Sequence, residues 1–127
     1  MRGRSFRALC LGLCAALMTA GSASAGDGVR RRGDCAGGEG DWDLRVERVD
    51  RNTLAVRFKI DDVDPGETWQ MFLSDNGSRV YSGTKTASSD GEVRVRRRIA
   101  DRSGTDRIGA SGVNVNDGTQ CQGSVSF

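Results

Sequence analysis

The sequence predicts a single all-β domain, an antiparallel β-sandwich of about seven strands, behind an N-terminal leader. Three observations support this fold class: short runs of alternating apolar and polar residues, Gly, Asn and Asp between the runs, and only one proline in 127 residues. Alternation with a period of two indicates strands that bury one face. Many short strands separated by turn residues are typical of a sandwich.

Residues 1–25 have the three parts of a secretory signal peptide. Three arginines lie within the first seven residues, an apolar run follows to about residue 20, and ASA at 23–25 matches an A-x-A cleavage site. The apolar run is too short to span a bilayer. Cys10 and Cys14 each follow a leucine, where a lipobox needs a small residue. We therefore expect a secreted protein that begins at Gly26 and has no membrane anchor.

Removal of this leader changes the net charge. The chain has 19 basic and 17 acidic residues and a net charge of +2, but three of the arginines belong to the leader. The mature protein is therefore near −1, and only a local cluster of cations would attract an anionic partner.

Two cysteines, Cys35 and Cys121, remain in the mature chain. Exported proteins meet an oxidising compartment, which favours a disulfide between the two. The alternative, a reactive thiol pair, has little support because the spacing is unlike C-x-x-C.

The mature chain divides into an arm and a domain. Residues 26–40 are rich in Gly and charge, which predicts a flexible arm that is tied down at Cys35. The sandwich is expected over residues 41–127. Its first two strands alternate clearly, and the side chains expected to point inward are Trp42, Leu44, Val46, Leu54, Val56, Phe58 and Ile60.

The dipeptide Asn76-Gly77 between two β-forming runs predicts a hairpin with a type I′ turn. With Asp75 opposite Ser78, Phe72 falls opposite Tyr81 on the outer face. This aromatic pair is a candidate contact for sugar rings or a partner protein. The plainer interpretation is a cross-strand pair that stabilises the sheet.

Two positions in the later strands break the alternation. In the strand that follows Glu92, Arg97 has the inward phase of Val93 and Val95. Either a bulge resets the strand or Arg97 pairs with a carboxylate such as Asp101 or Asp106, and we favour the ion pair. Further along, the change of phase around Gly112 predicts a bulge.

The loop over residues 61–67, DDVDPGE, concentrates four carboxylates. Oxygen ligands of this kind suit Ca²⁺, but the spacing is not that of an EF-hand. We expect an acidic, solvated connection and no metal site.

Two segments, WQMFLSDNGSRVYSGTKT at 69–86 and IADRSGTDRIGASG at 99–112, resemble small secreted actinobacterial proteins of uncharacterised function. The run Gly104 to Ile108 also resembles the corner before the sixth strand of bacterial Ig-like domains. The resemblance implies an Ig-like sandwich and export, and no activity. The cysteine positions differ from those of antibody-type domains, which place them on the second and sixth strands.

Ig-like topology would bring the first, second and fifth predicted strands into one sheet. The outward positions of these strands are mostly basic, and the expected basic face comprises Arg45, Arg57, Lys59, Arg94, Arg96 and Arg98, with Asp43 and Glu47. Such a face favours an anionic polymer. No aromatic residue lies among these cations, which makes nucleic acid an unfavoured partner because single strands are held by base stacking. The alternative is a solvated face that keeps the protein soluble and monomeric.

The sequence contains no histidine, which removes the Ser-His-Asp and Cys-His mechanisms and the usual catalytic zinc sites. We expect no enzyme and no cofactor. Two functions remain open: a binding module for a cell-wall or anionic polymer or an extracellular protein, and an exported structural or protease-inhibitor-like protein that displays a loop such as 61–67.

Overall fold

The computed structural model describes residues 28–127. The predicted signal peptide, with its cleavage site, and the first two residues of the predicted arm lie outside the described residues.

The protein is all-β, with eight strands in two four-stranded antiparallel sheets. The strands are β1 (Gly28–Asp34), β2 (Asp41–Asp50), β3 (Thr53–Asp61), β4 (Thr68–Asp75), β5 (Ser78–Thr86), β6 (Val93–Ala100), β7 (Arg107–Asn114) and β8 (Gln120–Ser126). The first sheet has the order β1-β2-β3-β6 and the second β5-β4-β7-β8. As predicted, the strands β2, β3 and β6 share a sheet, and the chain crosses repeatedly between the sheets, as in Ig-like sandwiches.

The prediction of a flexible arm over residues 26–40 is wrong for Gly28–Asp34. This segment is strand β1, which pairs with β2 along its whole length, from Gly28 opposite Glu47 to Asp34 opposite Asp41. It adds an eighth strand to the predicted seven and moves the start of the domain before residue 41. An edge strand gains its stability from backbone hydrogen bonds to one neighbour, so it needs no apolar stripe that composition would reveal.

The core lies between the sheets and contains the predicted inward residues. Trp69, Met71 and Leu73 of β4 are at most 1% exposed, and Leu54 and Phe58 of β3 are fully buried. On the area scale, burying each such side chain contributes about 1.5 to 3 kcal/mol.

No bulge marks Gly112, contrary to the prediction. The pairing of β7 with β4 and β8 continues through it without a shift. Gly112 faces the core, where an added Cβ would lie 2.6 Å from Ile60 Cδ1 and 2.9 Å from Met71 Sδ. Glycine lets Ile60 of the opposite sheet and Met71 pack close to this part of β7, and a larger residue would require these side chains to move.

The hairpin turn is as predicted, but the strand register is not. Asn76 and Gly77 have φ of 50° and 86°, and Asp75 lies opposite Ser78. A register shift follows directly, between Leu73 and Ser74, so that Leu73 faces Tyr81. A bulge of one residue moves every later side chain to the other face.

The disulfide between Cys35 and Cys121 is present and joins the segment after β1 to β8. Backbone hydrogen bonds between Ala36 and Gln120 continue this link between the sheets. The two cysteines are separated by 86 positions. A crosslink closing so long a loop stabilises a fold by about 4 to 5 kcal/mol on the chain-entropy model.

Candidate functional site

The outer side of the first sheet is a basic face. Its eight cations are the predicted Arg45, Arg57, Lys59, Arg94, Arg96 and Arg98, joined by two from β1, Arg30 and Arg32. The sequence reasoning missed the last two because it placed them in the arm. The segment GVRRRGD has three consecutive arginines and no alternation of apolar and polar residues, so the sequence carried no signal of a strand.

The strand register arranges these cations in rows. Arg30 lies opposite Arg45, Arg45 opposite Arg57, and Arg57 opposite Arg96, so one row of arginines crosses all four strands. Neighbouring strands are about 4.8 Å apart, and like charges directly opposite one another destabilise a sheet. The row therefore concentrates positive charge at a cost to the fold.

Carboxylates offset the charge of about half of the basic face. Arg30 donates to both oxygens of Asp43, at 3.0 Å from Nε to Oδ1 and 2.5 Å from the terminal nitrogen to Oδ2. These hydrogen bonds, followed by the charges of Arg30, Arg32 and Lys59, lower the pKa of Asp43. The other ion pairs on this face are Arg32–Asp43, Arg45–Glu47, Lys59–Asp61 and Arg94–Glu92.

Three arginines of the face make no ion pair within residues 28–127: Arg57, Arg96 and Arg98, which we name the arginine triangle. All three are exposed. Arg57 lies opposite Arg96, while Arg98 is two residues further along β6, opposite Ala55. The pKa of Asp50 is lowered mainly by hydrogen bonds from Asn52 and Thr53 and to a lesser degree by the charge of Arg98.

A shallow depression opens in the middle of the basic face. Its lining includes Arg57 and Arg96 of the triangle, together with Arg30, Asp43, Arg45, Lys59 and Arg94. Its only carboxylate, Asp43, already accepts hydrogen bonds from Arg30. An anion entering this depression meets cationic groups from all four strands.

The predicted aromatic pair does not form. Because of the shift in the hairpin, Tyr81 turns toward the core, where it packs at the edge, and Phe72 lies opposite Ser82 on the outer face. The Arg79 guanidinium carbon lies 4.4 Å from the centre of the Phe72 ring. Phe72 and Tyr81 therefore offer no joint platform for a sugar ring.

Arg97 makes neither the predicted ion pair nor a bulge. The register of β6 against β3 is continuous, and the Arg97 guanidinium carbon lies 5.1 Å from the centre of the Tyr81 ring. A cation over an aromatic face is favourable by about 0.5 to 1 kcal/mol at exposed sites. Arg48 takes the predicted partner, Asp101. The edge of the sandwich lets Arg97 keep its inward phase and remain exposed.

The acidic loop at 61–67 is attached to the body of the domain. Asn114 donates a hydrogen bond of 2.7 Å to Glu67 Oε2, and Gly66 N–H donates to Ala87 O. Val63 is 9% exposed. Within residues 28–127, no three acidic, cysteine or histidine side chains are grouped so as to hold a metal ion.

A second charged feature lies at the end of the other sheet. Asp75 and Asp106 are almost fully buried, and three of their four carboxylate oxygens have no hydrogen-bond partner among the described residues. Burial, and then the neighbouring carboxyl groups of Asp101 and Asp75, raise the pKa of Asp106 to about 6. Arg102 Nε, 3.8 Å from Asp75 Oδ2, is the nearest cation. Asp106 therefore carries a proton at mildly acidic pH.

Comparison with protein-family models, with curated proteins and with solved structures found no match for this chain. The resemblance to secreted actinobacterial proteins stays a prediction. Within the described part of the chain, no helix is long and apolar enough to cross a membrane. The class of protein is thus given by its fold, a disulfide-linked β-sandwich with one basic face.

Proposed function

We propose that this protein is a secreted, non-enzymatic binding module that holds an anionic polymer, such as an anionic cell-wall polymer, on the basic face. The observation that carries the proposal is the row of arginines across four strands, which ends in Arg57 and Arg96 without carboxylate partners. A bound polyanion would remove the repulsion in this row. The chain as a whole has nearly balanced charge, so the face is a local feature.

The alternative of a displayed inhibitory loop has less support. A protease inhibitor presents an exposed loop, whereas the loop at 61–67 is hydrogen-bonded to β7 and to the segment after β5. An enzymatic function also has less support. The sequence contains no histidine, and the depression on the basic face is lined by a single carboxylate, which is already paired.

The proposal predicts binding that depends strongly on salt. If the triangle neutralises about three anionic groups, the affinity for a flexible polyanion falls about a hundredfold for a tenfold rise in salt. The mature protein, residues 26–127, is to be titrated with heparin and with purified teichoic acid between 30 and 300 mM NaCl. Absence of binding to both polymers at the lowest salt would contradict the proposal.

Two matched variants distinguish binding by the basic face from an effect of the net charge of the protein. Arg96→Glu with Arg98→Glu reverses two cations on β6, the edge strand of the first sheet, and should abolish binding. Arg79→Glu with Arg107→Glu makes the same change in net charge on the outer face of the second sheet, the side of the sandwich opposite to the basic face. We expect the second variant to bind within about threefold of the wild type, since distant exposed charges are screened. Equal losses in both variants would show that net charge, and not the face, determines binding.

A further inference from the structure

The cations of the basic face are mostly arginines, as they are throughout residues 26–127, where arginine provides 14 of 16 cations. On the face, seven of the eight cations are arginines, and Lys59, the single lysine, is paired with Asp61. The kind of anion is therefore indicated by the unpaired arginines and not by the number of arginines. A guanidinium group is planar and donates two parallel hydrogen bonds to one oxyanion, whereas an ammonium group acts as a point charge. Attraction of a polyanion by charge alone does not need arginine.

The three arginines of the triangle lie close enough together to contact one anion. Arg57 and Arg96 are on adjacent strands, about 4.8 Å apart, and Arg98 is one strand repeat, about 6.6 Å, from Arg96. Three long side chains that start this close together reach a common anion from different directions. A tetrahedral phosphate or sulfate ester presents non-bridging oxygens in several directions, whereas a planar carboxylate presents two in one plane.

The carboxylates on the face support the same distinction. Asp43 accepts a two-pronged contact from Arg30, and Glu47 and Glu92 each pair with an arginine. Carboxylate partners therefore already satisfy the arginines around the triangle, and Arg57, Arg96 and Arg98 are left for an anion that residues 28–127 do not supply.

We propose that Arg57, Arg96 and Arg98 form a subsite for a tetrahedral oxyanion ester, and that the polymer bound on the basic face carries phosphodiester or sulfate groups rather than carboxylates. This inference rests on the proposed function and narrows its ligand.

Three probe polymers of similar length test the preference at one ionic strength: polyphosphate, dextran sulfate and polygalacturonate. The wild-type protein should bind polyphosphate or dextran sulfate at least tenfold more tightly than polygalacturonate, and the order of the first two assigns phosphate or sulfate. Equal affinity for all three would overturn the subsite and leave the proposed function intact. Binding to none would overturn both.

The role of arginine is tested without changing charge. Arg57→Lys with Arg96→Lys should lower the affinity for the preferred polymer about tenfold and leave polygalacturonate binding within twofold. Arg79→Lys with Arg107→Lys, on the second sheet, is the matched control and should change neither. A lysine variant that keeps the wild-type preference would overturn the role of the guanidinium groups.

A measurement on the wild-type protein complements the variants and is independent of their folding. Protein bound to the preferred polymer is to be eluted with sodium sulfate, sodium phosphate or sodium acetate at equal ionic strength. Sulfate or phosphate should elute it at a several-fold lower ionic strength than acetate, because only these anions compete for the tetrahedral subsite. Identical elution by all three salts would overturn the inference.

Discussion

The outer face of the first sheet carries eight cations, whereas the outer face of the second carries two, Arg79 and Arg107, within the described strands. The rest of the second face is mostly neutral polar, with one aromatic, one valine and one glycine, and its members are Thr68, Gln70, Phe72, Ser74, Ser82, Thr84, Thr86, Gly109, Ser111, Val113, Gln120, Gln122, Ser124 and Ser126. Both faces meet water. Hydroxyl and amide side chains thus provide most of the solvated surface of one sheet in this protein.

This difference bears on the alternative that the basic face only keeps the protein soluble. If solubility were the sole requirement, the first sheet could have the same Ser, Thr and Gln composition as the second. It instead places Arg57 opposite Arg96, an arrangement that costs stability unless an anion is present. The contrast between the faces therefore favours a role in binding.

The largest expected effect concerns the link between the two sheets. Replacing Cys35 and Cys121 together by Ser should lower the free energy of unfolding by about 4 kcal/mol, because the crosslink joins β1 to β8 over a long loop. Urea denaturation measures the loss, and hydrogen exchange should show β1, which carries Arg30 and Arg32, losing protection first. A loss below about 1 kcal/mol would show that β1 holds to the sheet without the disulfide.

The next largest effect is the pH dependence of stability, which we expect to arise from Asp106 at the end of the second sheet. The pKa of Asp106 is raised from 3.8 to about 6, so the native state binds this proton more tightly than the unfolded chain does. The stabilisation is complete below pH 4 and is lost as the pH rises through 6, a fall of about 2 to 3 kcal/mol. Asp106→Asn removes the titration and should flatten the stability profile between pH 5 and 8.

Denaturation midpoints of both proteins at pH 5 and pH 8 measure this effect. Below about pH 4 the profiles should fall together, because hydrogen-bonded carboxylates with lowered pKa, such as Asp43 and Asp101, then become protonated. A wild-type protein that is more stable at pH 8 than at pH 5 would contradict the prediction. Polyanion binding should be unaffected by Asp106→Asn, since Asp106 lies at the end of the other sheet.

The smallest effect concerns the balance of charge on the basic face. Glu47→Gln frees Arg45 from an ion pair of 2.7 Å and should raise polyanion affinity two- to fivefold at low salt. Stability should change by less than about 0.5 kcal/mol, because exposed ion pairs contribute little. Thr84→Gln, on the outer face of the second sheet, is the control. An unchanged affinity for Glu47→Gln would place the bound polymer away from β2.

Local patterns predicted most of the fold. Alternation identified seven strands and their buried sides, as at Leu54 and Phe58, since a period of two is a property of the chain itself. The same patterns gave wrong predictions where contacts with a neighbouring strand determine the structure. Strand β1 needed β2 as a partner, and the shift at Leu73 that separates Phe72 from Tyr81 depends on packing across the hairpin.

For the candidate site, the sequence by itself determined which side chains point outward on each strand, and hence the alternating arginines of β6 at Arg94, Arg96 and Arg98. The tertiary structure decided which of these arginines are neutralised. Ion pairs such as Arg30 with Asp43 form between strands, so they depend on register and strand order, which are long-range properties. The arginine triangle forms only because β3 lies beside β6. This pairing brings Arg57 next to Arg96, which is almost forty residues away in the chain.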